Sequence, residues 1–598
     1  MKQTPASASP HLMGRDRADR ALRAAVDRLL GSMQPEGWWE GRLSSSALAT
    51  ATAVSALSLA AADRPQYRHL ADGGAAWLAA TQNADGGWGD TADSPSNLAT
   101  TTLAVAALHL AGKQAELAPT LANAERYVAA TTGGADLVDA ISAAYGIDRT
   151  FAVPILTNCA LAGLVPWERI PRLPFALAAL PHSWYKFLRL HVVSYALPAL
   201  IAIGLLLDER KPSRNPLRKL ARAAAQGPAM RKLEAIQPAS GGFLEATPLT
   251  SFVSMSLIPV CGAGQPVVGK CLGFIERSVR PDGSWAIDSN LSVWLTTNSV
   301  KALSVAGELG RIDASRTRQW IEARQYRAAH PYTNASPGAW GWSHLPGSVP
   351  DVDDTASAIL ALAALGGSEA IAGGVRWLLN IQNADGGWPT FCRGWGKLPF
   401  DRSSPDLTAH VLQALNTAKA GEASAVAAER GLQYLRRVQR DDGAWVPLWF
   451  GNQLAPGKEN PVIGTAFVLR ALHDLGVHDA MAARGAAYLA GAQNPDGGWG
   501  GARGIAPSIE ETALAVAALA GCERHADARP ADARPADARH AAARGAGYLV
   551  RRVEDGSWPA AAPVGLYFAS LWYFEELYSI IWSADALGRA LGSGVMAD

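Results

Sequence analysis

The sharpest chemical feature of the sequence is a run of carboxylates, DVDDTA at residues 351–356, in which Asp351, Asp353 and Asp354 precede the apolar stretch SAILALAALGG. A helix N-terminus favours acidic side chains through its free N–H groups and its dipole, but one aspartate is enough for capping. Carboxylates this close cannot all ionise cheaply, so one should hold its proton at neutral pH and serve as a general acid. Clustered carboxylates can also hold magnesium. No second acidic cluster of the DDxxD kind completes such a site, so neither a metal nor another cofactor is expected. Downstream, SPDLTAH at residues 404–410 sets Asp406 and His410 four apart on one helix face, where they could bond each other or a common partner.

The elements that must position these groups follow from a repeat. Its copies read QPEGWW (34–39), QNADGGW (82–88 and 382–388), RPDGSW (280–285), QRDDGAW (439–445), QNPDGGW (493–499) and VEDGSW (553–558), with looser forms QPASGGF (237–243) and GAW (338–340). A typical copy follows one apolar helical pattern and precedes another, and its Asp-Gly or Gly-Gly pair supplies a turn with positive φ. The unit is two helices joined by a turn, and neighbouring copies fall roughly 50 residues apart, as in repeat architectures. The fold class expected is all-α, with two α/α toroids built from helix pairs. Copies cluster at 34–88 and 242–558, either side of a stretch without clear repeats. The expected division is an N-terminal segment, 1–30, packing with the C-terminal barrel, an N-terminal barrel, 31–295, and a C-terminal barrel, 296–598. The repeat Gln and Trp residues read as structural, the amide capping helix ends and the indole donating its N–H.

Composition narrows the classes further. The 598 residues are 49% hydrophobic and 18% charged, enough for a large core, and 54 basic against 53 acidic side chains leave no field that would favour nucleic acid. Five scattered cysteines without a CxxC pair fit a reducing compartment. The polar N-terminus lacks the apolar stretch of a secretory signal, so export is not expected.

Taken together, the Q…DG(G/S)W element, DVDDTA with GAWGWSH just before it, and DLTAH after it resemble the squalene-hopene cyclase family, the bacterial class II triterpene cyclases. YALPALIAIG (195–204), GGFLEATPLTSFVSMSL (241–257) and ELYSIIWSADALGR (576–589) extend the resemblance over most of the chain. It implies a two-barrel enzyme that protonates the terminal alkene of squalene or a similar linear polyprene and guides a cationic cascade to a polycyclic triterpene such as hopene. Asp353 matches the proton donor, with Asp351 and Asp354 beside it; His410 matches the histidine that orients the donor, and Asp406 is its helix neighbour. An alkene is a very weak base, so the acid must be dry and aimed, and the cation must be met by faces that attract it without trapping it. Aromatic rings do this, each worth roughly 0.5 to 2 kcal/mol. By position the candidates are Trp342 and Trp294 first, then Trp445, Trp449, Phe450, Trp184, Tyr567 and Tyr578.

The chain also departs from that family. The segments SSSALATATAVSALSLA (44–60) and LATTTLAVAALHL (98–110) carry no acid where hopene-forming members have one, and Leu295 follows Trp294 where the family usually has Asp. Another substrate, a C35 or shorter polyprene or a prenylated aromatic, is the alternative. A protein prenyltransferase β-subunit would need zinc held by an Asp, Cys and His set that could include Cys392. A class II diterpene cyclase would need a basic diphosphate pocket, which is not located, and a lipid-binding scaffold would leave the carboxylates without a purpose. The basic segment 205–235 is the candidate membrane contact, which places the expected protein peripherally or monotopically on the cytoplasmic face of the cell membrane, with a homodimer as one expectation. The ADARP tandem at 526–540 reads as a surface loop.

Overall fold

The computed structural model describes residues 14–146, 149–188, 190, 192–419, 421–522, 535–567 and 571–596. Four repeat copies join neighbouring helix pairs through one recurring set of bonds. After helix Ala370–Ile381, Gln382 Nε2 donates to Gly386 O at 2.8 Å in its own turn and to Ala427 O at 2.9 Å on the next outer helix, Glu422–Val438. Trp388 Nε1 donates back to Leu378 O at 2.9 Å, and Trp388 N donates to Thr408 Oγ1 at 3.1 Å on the following inner helix. The same bonds recur at Gln82 with Trp88, Gln439 with Trp445 and Gln493 with Trp499. The turn needs glycine: Gly386 has φ +89°, and a Cβ there would meet Arg430 O at 2.5 Å.

These bonds close two rings. In the N-terminal ring, inner helices Ala47–Ala60, Leu98–Leu110, Arg149–Leu161, Val192–Arg210 and Thr247–Cys261 contact one another in that order, and the last meets the first. In the C-terminal ring, Ser292–Ala306, Val352–Ala364, Pro405–Ala418, Pro461–Asp474, Ile509–Leu519 and Tyr578–Gly592 close in the same way. Inner helices are buried nearly all round, which explains their runs of Ala, Leu, Val, Ser and Thr; outer helices such as Glu422–Val438 bury a single stripe.

The rings do not follow the two clusters of copies in the sequence. The first helix, Arg15–Gly31, packs on Pro535–Glu554 and Tyr578–Gly592, and Trp39 N donates to Thr296 Oγ1 at 2.9 Å, so the first copy serves the C-terminal ring. Trp285 N donates to Thr50 Oγ1 at 3.0 Å and closes the N-terminal ring. A boundary after residue 295 would cut helix Ser292–Ala306, which carries site residues of the C-terminal ring; the division falls before Ser292. Residues 526–534 of the ADARP region lie outside the described residues, whereas 535–540 are not loop but the start of helix Pro535–Glu554, where Ala538 is buried. Short strands bridge the seams: Ser45–Ser46 pairs antiparallel with Trp285–Ala286, and Gly565–Tyr567 with Leu571–Tyr573.

Candidate active site

The site lies at the N-terminal ends of the C-terminal ring's inner helices. Asp351 caps helix Val352–Ala364, its Oδ1 accepting from Asp354 N at 2.8 Å, so the capping reading holds for one aspartate of the three. Asp353 and Asp354 stand in the first turn, free for other work. Burial raises the pKa of Asp351, and the neighbouring charge of Asp354 adds to it. Burial raises Asp354 likewise, with Asp353 adding its charge. Protons are therefore held in this cluster at neutral pH, as two carboxyls in one dry site require.

Helix Pro405–Ala418 carries His410 to the same point. Its Nδ1 lies 2.5 Å from Asp353 Oδ1, and its Nε2 lies 3.1 Å from Lys301 Nζ on helix Ser292–Ala306. An ammonium only donates, so opposite a charged Lys301 the imidazole accepts at Nε2 and donates its Nδ1–H to Asp353. Burial, then the Lys301 charge, lowers the His410 pKa to about 4, so the ring is neutral at physiological pH. Asp406 does not bond His410 as the spacing allowed. Its carboxyl accepts instead from Ser404 Oγ, and burial raises its pKa to about 6. The i to i+4 spacing put His410 within reach, but the hydroxyl of Ser404, two residues earlier at the helix N-cap, takes the bond.

In front of the acid is a cavity of about 90 Å³ lined by Asp351, Asp353, Asp354, Leu291, Trp294, Trp342, Thr390, Phe391, Trp449, Phe450, Tyr573 and Tyr578. The rings brace one another: Trp342 meets Phe391 edge-on with centroids 6.3 Å apart, Phe391 meets Trp449 at 5.9 Å, and Phe450 meets Tyr578 at 6.5 Å. Trp449 Nε1 donates to Thr390 Oγ1 at 2.7 Å, which fixes its plane. Buried Asp90 accepts from Trp572 N at 2.9 Å and so anchors, from the other ring, the strand that carries Tyr573. An aimed acid facing braced aromatic rings suits protonation of an apolar π-bond and retention of the resulting cation.

Of the expected residues, the structure brings Asp351, Asp353, Asp354, Trp294, Trp342, Trp449, Phe450 and Tyr578 into this wall, with His410 and Asp406 behind it. It does not bring two others. Trp445 is a repeat tryptophan, wholly buried, its Nε1 donating to Leu435 O at 2.9 Å. Trp184 is 56% exposed on the short helix His182–Phe187 of the N-terminal ring. Tyr567 ends strand Gly565–Tyr567, and its side chain lies outside the described residues. Phe391, Thr390 and Tyr573 were missed because they sit on segments without helical period; Lys301 carried a legible signal, being the single charge in SVWLTTNSVKALSVA. Cys392 does not join Asp353 and His410: it faces a second cavity, of about 460 Å³, on the other side of Phe391.

Comparison with known proteins agrees with this architecture. The squalene-hopene cyclase N-terminal domain matches residues 22–240 and the C-terminal domain matches residues 291–591. The squalene–hopene cyclase of Alicyclobacillus acidocaldarius is 27% identical over 76% of this chain and 79% of its own. The enfumafungin synthase of Hormonema carpetanum is 28% identical over 81% of this chain, which spans only 42% of that protein. Among solved structures, ent-copalyl diphosphate synthase from Streptomyces platensis shares the fold with a TM-score of 0.51 at 20% identity, covering 97% of this chain and 99% of that one. With both domains matched, an all-α double toroid and the acid in its first-turn position, the chain belongs to the squalene-hopene cyclase family, and so to the class II terpene cyclases.

Proposed function

We propose that the protein cyclises squalene or a similar uncharged linear polyprene to a polycyclic triterpene such as hopene, beginning with proton transfer from Asp353 to the terminal alkene. The observation that carries this reading is the Asp353–His410 pair set in the wall of an aromatic cavity. No Lys or Arg side chain is among the residues lining that cavity, which favours an uncharged substrate end there. The imidazole bonded to Asp353 Oδ1 orients the carboxyl, and Trp294, Trp342 and Phe391 receive the first cation with their π-faces.

A shorter polyprene is the second reading, favoured by the size of the space facing the acid. At about 90 Å³ it is well below the ~300–1,000 Å³ of ordinary ligand pockets. Helices Ala47–Ala60 and Leu98–Leu110 carry no acid to quench a far-end cation, which also fits a product other than hopene. Incubation of detergent-solubilised protein with squalene, a linear polyprene shorter than squalene, a C35 polyprene and a prenylated aromatic, each analysed by gas chromatography and mass spectrometry, separates the readings by which substrate yields cyclic isomers.

Peripheral contact with the cytoplasmic face of the membrane is part of the same proposal. Helices His182–Phe187 and Pro216–Ile236 both pack on Val192–Arg210 and expose Trp184, Phe187, Leu217 and Leu220, with Phe187 at 87%. Arg210, Lys211, Arg214 and Lys219 flank them, a combination suited to an anionic interface. Among the described residues no helix is long and apolar enough to cross a membrane. Flotation with anionic vesicles tests the contact, and Phe187→Asp with Leu217→Asp should reduce it.

A further inference from the structure

The bore of the C-terminal ring continues behind the acid. Past Asp353 and His410 it narrows to a space of about 10 Å³ lined by Trp294, Lys301, Asp406, Gln413 and Arg470, then widens to a cavity of about 370 Å³ at the opposite end of the ring. Lys301, Asn298, Gln413 and Arg470 line both spaces. The larger one reaches solvent at Asp474, whose side chain is 40% exposed. Lys301 thus stands between solvent and His410, and the aromatic cavity is on the other side of Asp353.

We propose that Lys301 is a positioning residue that returns a proton to Asp353 through His410 after each turnover, drawing it from the polar cavity at the far end of the ring. The proposal rests on the class II reading: protonating an alkene leaves Asp353 as a carboxylate, and the acid must be reloaded without admitting water to the cation's side of the cavity. The Lys301 ammonium gives a proton to His410 Nε2 while the Nδ1–H proton passes to Asp353 Oδ1. One N–H bond breaks at each donor as one N–H and one O–H bond form. Lysine ends neutral, the imidazole stays neutral in its other tautomer, and Asp353 is a carboxylic acid. Water in the polar cavity then protonates the amine, its hydroxide leaving to solvent, and rotation of the carboxyl presents the O–H to the substrate. Proton exchange with that water returns the imidazole to its Nδ1–H tautomer before the next turnover.

The charges around Lys301 suit that cycle. Facing it are His410 and Asp406 on Pro405–Ala418, Asp353 and Asp354 on Val352–Ala364, Arg470 and Asp474 on Pro461–Asp474, and Asp585 and Arg589 on Tyr578–Gly592; its own helix has no other charge. Burial, then Arg470, lowers the lysine to about 7, while a charged Asp353 pulls it up. Asp585 is committed elsewhere, to Arg470 at 3.2 Å and Arg589 at 3.2 Å. Lys301 is therefore held charged at the moment Asp353 has just lost its proton, which is when the relay draws on it.

The test compares the wild type with Lys301→Met and Lys301→Gln, using squalene in detergent. Glutamine keeps a donor for Nε2 but has no proton to give, so both variants should lose about tenfold or more in kcat with KM unchanged within about twofold. The wild-type rate should fall as pH rises through about 7, where the lysine deprotonates, and both variants should lack that limb. A Lys301→Gln enzyme with wild-type kcat, or a limb that persists in both variants, overturns the proposal. If the wild type leaves squalene unchanged, the substrate reading has failed, and melting temperatures still test the lysine. Between pH 7 and 10 the unfolded chain holds the lysine proton and the folded chain does not, so the wild-type melting temperature should rise relative to Lys301→Met. A constant difference contradicts a lysine of lowered pKa and overturns the relay.

Discussion

Asp353 Oδ1 and His410 Nδ1 meet at 2.5 Å across two adjacent inner helices, although 57 residues separate them in the chain. Each helix brings one group, and the ring's packing sets their distance. Removing the imidazole leaves Asp353 unoriented, so His410→Ala should lower kcat by about 10²–10⁴ with little change in KM, read by steady-state product formation. His410→Asn should recover part of that loss, because its amide can still donate to Asp353.

The aromatic wall should show itself in the products rather than in binding. Replacing Trp294 or Trp342 by Leu keeps apolar bulk but removes a face that holds a cation, worth roughly 0.5 to 2 kcal/mol. Expected are a fall in kcat of about 2- to 30-fold and partially cyclised products, detected by mass spectrometry.

Trp445 should behave differently from both. Its indole N–H bonds Leu435 O and its ring fills the joint between helix pairs, away from the cavity. Trp445→Phe should cost about 1–3 kcal/mol in denaturant unfolding, from an orphaned carbonyl and a smaller ring, and leave kcat within about twofold.

A buried acid outside the site should set part of the pH dependence of stability. Glu510 begins the buried helix Ile509–Leu519, and burial raises its pKa to about 8. The unfolded carboxyl ionises near 4.3, so between about pH 4.3 and 8 the folded state holds the extra proton and stability falls as pH rises. Glu510→Gln does not titrate, and its melting temperature relative to wild type should climb from pH 5 to 8, by the equivalent of about 2–4 kcal/mol.

The repeat made the fold legible because the motif carries the bonds: where Gln, an Asp-Gly turn and Trp occur together, at Gln82, Gln382, Gln439 and Gln493, they form the same staple. Ring membership was not legible. That Arg15–Gly31 completes the C-terminal ring depends on Trp39 meeting Thr296, a contact that no local pattern encodes. In the site, Asp353 and His410 stood out by residue type and order. Phe391 and Tyr573 did not, since turns and short strands position them and a lone aromatic has no period. Trp445 and Trp449 lie in one short segment, yet the first staples helices and the second lines the cavity, and only the direction of each side chain separates the two roles. Asp406 shows the same limit, because helix spacing offered His410 as a partner and the N-cap hydroxyl of Ser404 took the bond instead.

The most direct test is product analysis of wild type and Asp353→Asn side by side, with squalene and without added metal. The account predicts cyclic products of unchanged or hydrated squalene mass from the wild type and none from the variant, whose fold is verified by an unchanged melting curve. Cyclic products formed equally by Asp353→Asn would contradict it, because an amide at that position cannot supply the proton that starts the cascade.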